Sequence, residues 1–345
     1  MMQPTEGPTP DKALASSVLA FLIFLLCLPA QSVEPAEPAE PPPTTVPEPE
    51  PYTRVARPDA DTVQLEITRR RFTPAEGQGP DLWLVAVSHI GETNYFQTLQ
   101  TFLDRQKLVL YEGVGDPQSM PESEEDTGEA GGLQATLAGS LGMAFQLDSI
   151  QYKRRHFKNS DMTYRQLEKL LRTEIQTRAE EGGTPNPAFV ALMGAMDGSS
   201  WLGAVMHMGA RLLGSSPKLK AMTRLIFIEI LGGLKSDMSE LQGVTPDMRD
   251  LLLVLIRERN KVVLEDLKKS LNQRRPPVSI AVFYGAGHMP DLEKRVRAEL
   301  GYQPAEDVWL PAIVVHPSKA GLSNLEVNSI RTMVEWQMNS LQPKP

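Results

Sequence analysis

Residues 278–288 read Val-Ser-Ile-Ala-Val-Phe-Tyr-Gly-Ala-Gly-His, an apolar run followed by a glycine-rich turn. Its first seven residues are mostly apolar, with β-branched and aromatic side chains, and a run of this length is typical of a buried strand. Two prolines precede the run and glycines follow it, so both of its ends are marked. The sequence therefore predicts a strand over 278–284 that leads into a turn containing His288.

Apolar runs elsewhere in the chain predict further strands. Residues 81–88 and 107–112 each form such a run, and apolar residues at helical spacing predict a helix over 92–107 between them. A strand, a helix and a strand over this distance predict a right-handed crossover with parallel strands. Residues 308–315 predict another strand, at an edge of the sheet because Pro311 cannot donate a ladder hydrogen bond.

The stretch between these strand-rich ends is mostly helical. From about 133 to 271, periodic apolar residues predict helices over 162–178, 219–234 and 246–271. We therefore expect an α/β fold, with a mixed or mostly parallel sheet, flanking helices and a large helical insertion. Residues 59–345 would form this single domain.

The first 58 residues have a different character from the rest. Residues 13–30 form an uncharged apolar run, which predicts a signal peptide over 1–32. An uncleaved membrane anchor, and a lipoprotein modified at Cys27, are the alternatives. Residues 33–58 are rich in Pro and Glu, which favours an extended, disordered linker. In each case we expect the domain outside the cytoplasm, either periplasmic, secreted or tethered to a membrane.

Charge and cysteine content exclude several classes of protein. The net charge is −8, but the first 50 residues hold seven acidic residues and one basic residue, so the rest is almost neutral. Nucleic acid is not an expected partner, because phosphate binding needs a clustered basic face. The one cysteine excludes a disulfide scaffold, and its place in the export segment excludes a cysteine nucleophile.

Three side chains that can carry chemistry follow predicted strands. His89 follows the strand over 81–88, Glu112 ends the strand over 107–112, and His288 follows the strand over 278–284. The carboxyl ends of parallel strands meet at one edge of a sheet, where ligands bind. Each residue alone also fits a packing or turn role.

Two imidazoles and a carboxylate together match a metal site with open positions, able to activate water or polarise a carbonyl. The predicted cofactor is therefore a divalent metal ion held by His89, Glu112 and His288. Zn, Mn and Co suit these ligand types, as does Fe, and the sequence does not choose among them.

Four short motifs occur in a fixed order. They are Val87-Ser-His89-Ile-Gly91, Leu108-Val-Leu-Tyr-Glu112-Gly113, Glu258-Arg-Asn260 and Tyr284-Gly-Ala-Gly-His288-Met-Pro. Together they resemble the TraB/PrgY/GumN superfamily, which includes the Tiki metalloproteases and, more distantly, erythromycin esterases and ChaN-like lipoproteins. The resemblance covers residues 82–300. The family has two Gly-x-x-His motifs; the second is intact at 285–288, and the first has Ala86 in place of glycine.

The resemblance implies a Tiki-like or erythromycin-esterase-like fold and two possible functions. The first is an exported metal-dependent hydrolase, peptidase-like, that acts on a peptide or small-molecule substrate. Glu112 would be a metal ligand or the general base, and Arg259 would point into the same cleft as a second catalytic residue. Asp161 resembles a family position and also fits a helix N-cap. The alternative function, which Ala86 keeps open, is a non-catalytic protein that binds or sequesters a peptide or small ligand.

Overall fold

The protein is an α/β structure with helices flanking a central sheet. The computed structural model describes residues 49–77, 79–113, 129–163, 165–167, 169, 170, 173, 213, 215–233 and 254–341. In chain order the elements are β1 (Thr53–Asp59), β2 (Thr62–Pro74), β3 (Asp81–Val87), β4 (Ile90–Gly91), α1 (Thr93–Leu103), β5 (Leu108–Tyr111), α2 (Glu129–Leu141), β6 (Ala144–Phe145), α3 (Gln146–Ser149), β7 (Phe157–Asn159), α4 (Pro217–Gly233), α5 (Arg259–Leu271), β8 (Ser279–Gly285), α6 (Met289–Leu300), β9 (Tyr302–Val315) and α7 (Asn324–Leu341). A π-helical segment, Val254–Glu258, leads into α5, and short 3-10 turns cover Ala286–His288 and Ser318–Ala320.

The parallel part of the sheet has the order β3-β8-β5-β7. β8 pairs in parallel with β3 on one side and with β5 on the other. The predicted strands over 81–88 and 107–112 are thus parallel, but β8 lies between them. These strands are buried, as expected for parallel strands covered by helices. Their carboxyl ends therefore lie side by side at one edge, with the end of β8 in the middle.

The antiparallel part of the sheet is organised around the long strand β2. β1 and β3 pair with successive parts of β2, and β9 pairs along nearly its whole length. β1 and β3 lie one after the other along one side of β2. β9 therefore pairs with the other side of β2 and forms an edge of the sheet, as Pro311 predicted. Pro311 and Pro304 both lie beside register shifts in this pairing. Proline has no backbone N–H to donate to the strand pairing. Both prolines therefore lie where the hydrogen-bond ladder is already irregular.

The helix that follows β8 begins and ends where the sequence indicates. Pro290 lies in the first turn of α6, where its missing N–H has no intrahelical acceptor to lose. Gly301 ends the helix in the left-handed conformation, with φ of 67°, which glycine adopts without a Cβ penalty. α6 is therefore fixed directly after the turn that holds His288.

Some regions differ from the sequence-based expectation. β1 begins at Thr53, inside the range 33–58 expected to be linker, and the β1–β2 hairpin was not predicted. β7 joins the sheet from within the expected helical insertion over 133–271. Within that insertion, α4 and the end of α5 match predicted helices.

Other predictions fall largely or wholly outside the described residues. They are the export segment over 1–32, most of the linker, most of the helix over 162–178 and residues 246–253. Among the described helices, none combines the length and apolar character needed to cross a bilayer.

Candidate functional site

The three predicted ligand residues lie together around Gly285, the last residue of β8. A β-carbon at this glycine would lie 3.2 Å from Glu112 Oε2, 3.7 Å from His89 Nε2 and 3.8 Å from His288 Cδ2. The glycine therefore leaves the three side chains room to face one another. The order β3-β8-β5 produces this arrangement, because each of the three strands delivers one residue to the same edge.

The Glu112 carboxylate is bonded on both oxygens. Oε2 accepts a hydrogen bond of 2.7 Å from the Gly285 amide, and Oε1 accepts one of 2.7 Å from Arg259 Nη2. His288 Nε2 lies 3.5 Å from Oε1. Burial by itself would raise the pKa of Glu112, but His288, Arg259 and His89 hold this pKa well below its ordinary value. Glu112 is therefore a carboxylate at neutral pH.

Arg259 bridges two carboxylates at the start of α5. Its Nε donates to Asp161 Oδ1 at 2.9 Å and its Nη2 donates to Asp161 Oδ2 at 2.5 Å, besides the bond to Glu112. The Asp161 side chain is fully buried and also accepts from the amides of Gly113 and Met162. Burial lowers the pKa of Arg259, but these carboxylates more than offset that effect. The guanidinium is thus a fixed cation behind Glu112.

The Asn260 amide fixes the tautomer of His288. Its Nδ2 donates to the His288 carbonyl at 3.1 Å and to the Asp291 carboxylate at 2.8 Å, two groups that only accept. The Oδ1 atom of Asn260 therefore faces His288 Nδ1, at 2.8 Å, and Nδ1 must carry the proton. In the neutral ring, the lone pair is on Nε2, the nitrogen that faces Glu112.

Gln146 holds His89 in the same manner. His89 Nδ1 lies 2.9 Å from Gln146 Oε1, and Gln146 Nε2 donates to the Tyr152 hydroxyl at 2.8 Å. The backbone N–H of Gln146 also donates to the His89 backbone carbonyl. Both imidazoles therefore donate Nδ1–H to a side-chain amide and turn Nε2 into the site. This is the arrangement that orients imidazoles toward a metal in known metal sites.

The site lies at one end of a cavity of about 560 Å³, which we call the cleft. His89, Glu112, Arg259 and His288 form its polar end, and residues from β2, α2 and α4 form the remaining wall. Residues 49–53, which lead into β1, also line it. Ala86 is buried in the core and is not among the residues that line the cleft. The extra methyl group at this position therefore does not crowd the site.

The donor types fit a divalent metal, with two imidazole nitrogens and one carboxylate available. Among the described residues, however, no group of three or more His, Cys, Asp or Glu side chains surrounds a common metal position. Both oxygens of Glu112 already accept hydrogen bonds, from Arg259 and Gly285. Coordination by Glu112 would use the remaining lone pairs of these oxygens.

Sequence reasoning missed the two amides that orient the histidines. Asn260 belongs to the Glu258-Arg-Asn motif, and its position next to Arg259 was the available signal. Gln146 follows an apolar pair in the chain and gave no signal beyond being polar. Comparison with models of protein families, with curated proteins and with solved structures finds no match to this chain.

Proposed function

We propose that this protein is a metal-dependent hydrolase whose reaction centre is formed by His89, Glu112 and His288. The observation that carries the proposal is the 3.5 Å approach of His288 Nε2 to Glu112 Oε1. Asn260 requires a proton on Nδ1 of His288, so in the neutral ring the Nε2 lone pair faces a negatively charged oxygen. Two such acceptors repel each other unless a cation, either a metal ion or a proton, lies between them.

The three side chains would hold Zn, Mn or Co, and a bound metal would supply Lewis-acid assistance to the hydrolysis of a carbonyl group. Glu112 would serve as a metal ligand or as the general base. Arg259 would act as a positioning residue that keeps the carboxylate ionised and oriented.

The export signal and the four motifs extend the proposal. The apolar run over 13–30 supports a protein that acts outside the cytoplasm, either released or tethered to a membrane. The placement of the motif residues around one cleft supports membership of the TraB/PrgY/GumN superfamily and a Tiki-like fold. That resemblance implies a peptide substrate.

A non-catalytic binding protein is the second candidate. The observation that favours it is the saturation of Glu112, whose two oxygens already bond to Arg259 and Gly285. In that case His288 would carry a second proton, and the cleft would hold a peptide or small ligand without reaction.

Elemental analysis of the full chain, purified without a chelator or a metal-affinity step, tests the proposal. We expect about one transition metal per chain, and none in the double variant His89→Ala/His288→Ala. The matched control is His156→Ala/His316→Ala, which also removes two imidazoles. His156 and His316 bond to Leu103 and Thr62, away from the site, so this control should keep its metal.

Hydrolysis of a panel of esters and peptides by the metal-loaded protein completes the test. Activity that is lost in the first double variant and kept in the second supports the hydrolase. Absence of metal after soaking in Zn, Mn and Co, together with no cleavage of any panel member, would overturn it in favour of the binding protein. Equal metal content in both double variants would place the metal elsewhere.

A further inference from the structure

The cleft has one polar end and a larger apolar wall. The wall consists mainly of the side chains of Leu65, Ile67, Leu137, Phe227, Leu231 and Ile256. The first two alternate on β2 and so share the face that lines the cleft. The volume of about 560 Å³ is typical of cavities that enclose a drug-sized molecule. The wall can therefore surround an apolar body whose polar group reaches the histidines.

The hydroxyl groups along this wall donate to partners within the fold. The Tyr52 hydroxyl donates to Glu293 at 2.8 Å, Thr53 Oγ1 donates to the Leu231 carbonyl at 2.7 Å, and Ser88 Oγ donates to the Ile90 carbonyl at 2.8 Å. An extended peptide needs donors and acceptors along its backbone. None of these three hydroxyl protons is available to it, and Gln134 is the one neutral side-chain amide among the described residues of this wall. The wall therefore suits a hydrocarbon chain better than a peptide.

The charges of the cleft disfavour a charged substrate. Among the described lining residues outside the polar end, Glu50 is the one that carries a full charge, and it is exposed. Arg259 already bonds to Glu112 and Asp161. Among the described lining residues, Arg259 is therefore the one permanent side-chain cation that a substrate carboxylate would meet. Two carboxylates already hold it.

We infer that the substrate is an uncharged ester or amide with an extended apolar acyl chain. This inference rests on the proposed hydrolase function and adds the substrate class. The bond between the acyl carbon and the ester oxygen or amide nitrogen breaks, and a water oxygen bonds to the acyl carbon. The departing oxygen or nitrogen receives a proton from that water. The products are a carboxylic acid and an alcohol or amine.

Binding of methyl ketones separates this inference from catalysis. A methyl ketone keeps the carbonyl and the chain but has no hydrolysable bond. Calorimetric titration of the full chain with ketones of increasing length should show affinity rising by about fourfold per methylene, the factor for burial of one methylene group, until the cleft is full. N-acetylated dipeptide amides should bind more weakly than the longer ketones.

Substitutions at Leu231 locate the binding site. Leu231→Trp narrows the cleft, and we expect at least a tenfold loss of affinity for the longer ketones with a much smaller effect on the shortest. Leu231→Ala enlarges the cleft and should shift the preferred chain to a greater length. Leu325→Trp is the control, because Leu325 lies on α7 and is 76 % exposed. It should bind every ketone as the unsubstituted protein does.

Two results would overturn the inference and leave the hydrolase proposal standing. One is ester hydrolysis with no dependence of ketone affinity on chain length, and the other is tighter binding of the dipeptide amides than of the long ketones. An identical response of the Leu231 variants and Leu325→Trp would also overturn it. Chain-length-dependent binding without hydrolysis of any ester or amide would instead overturn the proposed function and leave an apolar-ligand site.

Discussion

Arg70 and Arg259 are both buried between two carboxylates, but of the two only Arg259 lines the cleft, together with His89 and His288. Arg70 donates to Glu293 at 2.7 Å and to both oxygens of Asp307, and it lies 4.5 Å from the centre of the Tyr52 ring. Arg297 contacts the other oxygen of Glu293 at 3.3 Å. In this cluster two arginines balance two carboxylates.

The cluster at Arg259 is not balanced in this way. Glu112 and Asp161 share Arg259, which leaves one negative charge in excess among the described contacts. That excess faces the Nε2 atoms of His89 and His288. The comparison teaches that a buried ion pair does not by itself mark a reaction centre. The distinguishing feature is a surplus of electron-rich atoms that face a cavity.

Loss of either buried arginine should have the largest effects on stability, and Arg70 is the first case. Its side chain is 3 % exposed and that of Glu293 is 1 % exposed, so Arg70→Met leaves a deeply buried carboxylate with much weaker compensation. We expect a loss of about 3–5 kcal/mol in the free energy of unfolding, measured with urea. Arg154→Met is the control, because the side chains of Arg154 and its partner Asp104 are 43 % and 35 % exposed, and it should cost less than about 1 kcal/mol. Equal losses in the two variants would contradict the conclusion that the ion pairs of the Arg70 cluster are buried and stabilise the fold.

Loss of Arg259 should cost about as much, and a metal should restore part of it. Arg259→Met leaves Glu112 and the fully buried Asp161 without their shared cation, and we expect a loss of about 3–5 kcal/mol. With the proposed metal site beside Glu112, saturating Zn should recover more stability in Arg259→Met than in Arg70→Met. Thermal unfolding with and without Zn measures the difference. The same Zn response in both variants would remove the contrast between the clusters.

The amide behind His288 should affect metal affinity. Asn260→Ala frees the ring to rotate and to change tautomer, and we expect metal affinity to fall by about 10- to 100-fold. Competition with a chromogenic chelator measures this affinity. Asn272→Ala is the control, since Asn272 is exposed at the C-cap of the same helix. An unchanged metal affinity in Asn260→Ala would show that the hydrogen bond to His288 Nδ1 does not orient Nε2 for metal binding.

A surface ion pair provides the smallest effect and a reference for both clusters. The Lys218 ammonium, followed by the Ser323 amide and hydroxyl, lowers the pKa of Glu326 from 4.5 to about 2. A lowered folded-state pKa gives stability that is complete at neutral pH and is lost as the pH falls from about 4.5 to about 2. Because the pair is exposed and screened, Glu326→Gln should cost only about 0.5–1 kcal/mol at pH 7. Urea unfolding at several pH values should show this difference vanish near pH 2.

The strand-end residues of the site were predictable, but their order in the sheet was not. His89, Glu112 and His288 each follow an apolar run, which local sequence reveals. The insertion of β8 between β3 and β5 depends on pairing across more than 160 residues, and no local pattern encodes it. That insertion places Gly285 between the three side chains and so determines the geometry of the site.

Side-chain partners were less predictable than positions. The resemblance placed Arg259 in the cleft, whereas its bonds to Glu112 and Asp161 depend on tertiary packing. The roles of Asn260 and Gln146 likewise appear only when the histidine rings are in place. The β1–β2 hairpin could have been found, because Val63, Leu65 and Ile67 alternate with polar residues as in a half-buried strand.

The contacts of residues 49–53 have a practical consequence for protein production. These residues line the cleft, the Glu50 carbonyl accepts from Arg70, and Tyr52 covers the same arginine. A shortened protein that starts at residue 59, where the domain boundary was expected from sequence, would lack β1 and one wall of the cleft. Crystallisation trials and ligand screens therefore need a chain that starts before Pro49. The Pro/Glu-rich segment should be shortened from its N-terminal side.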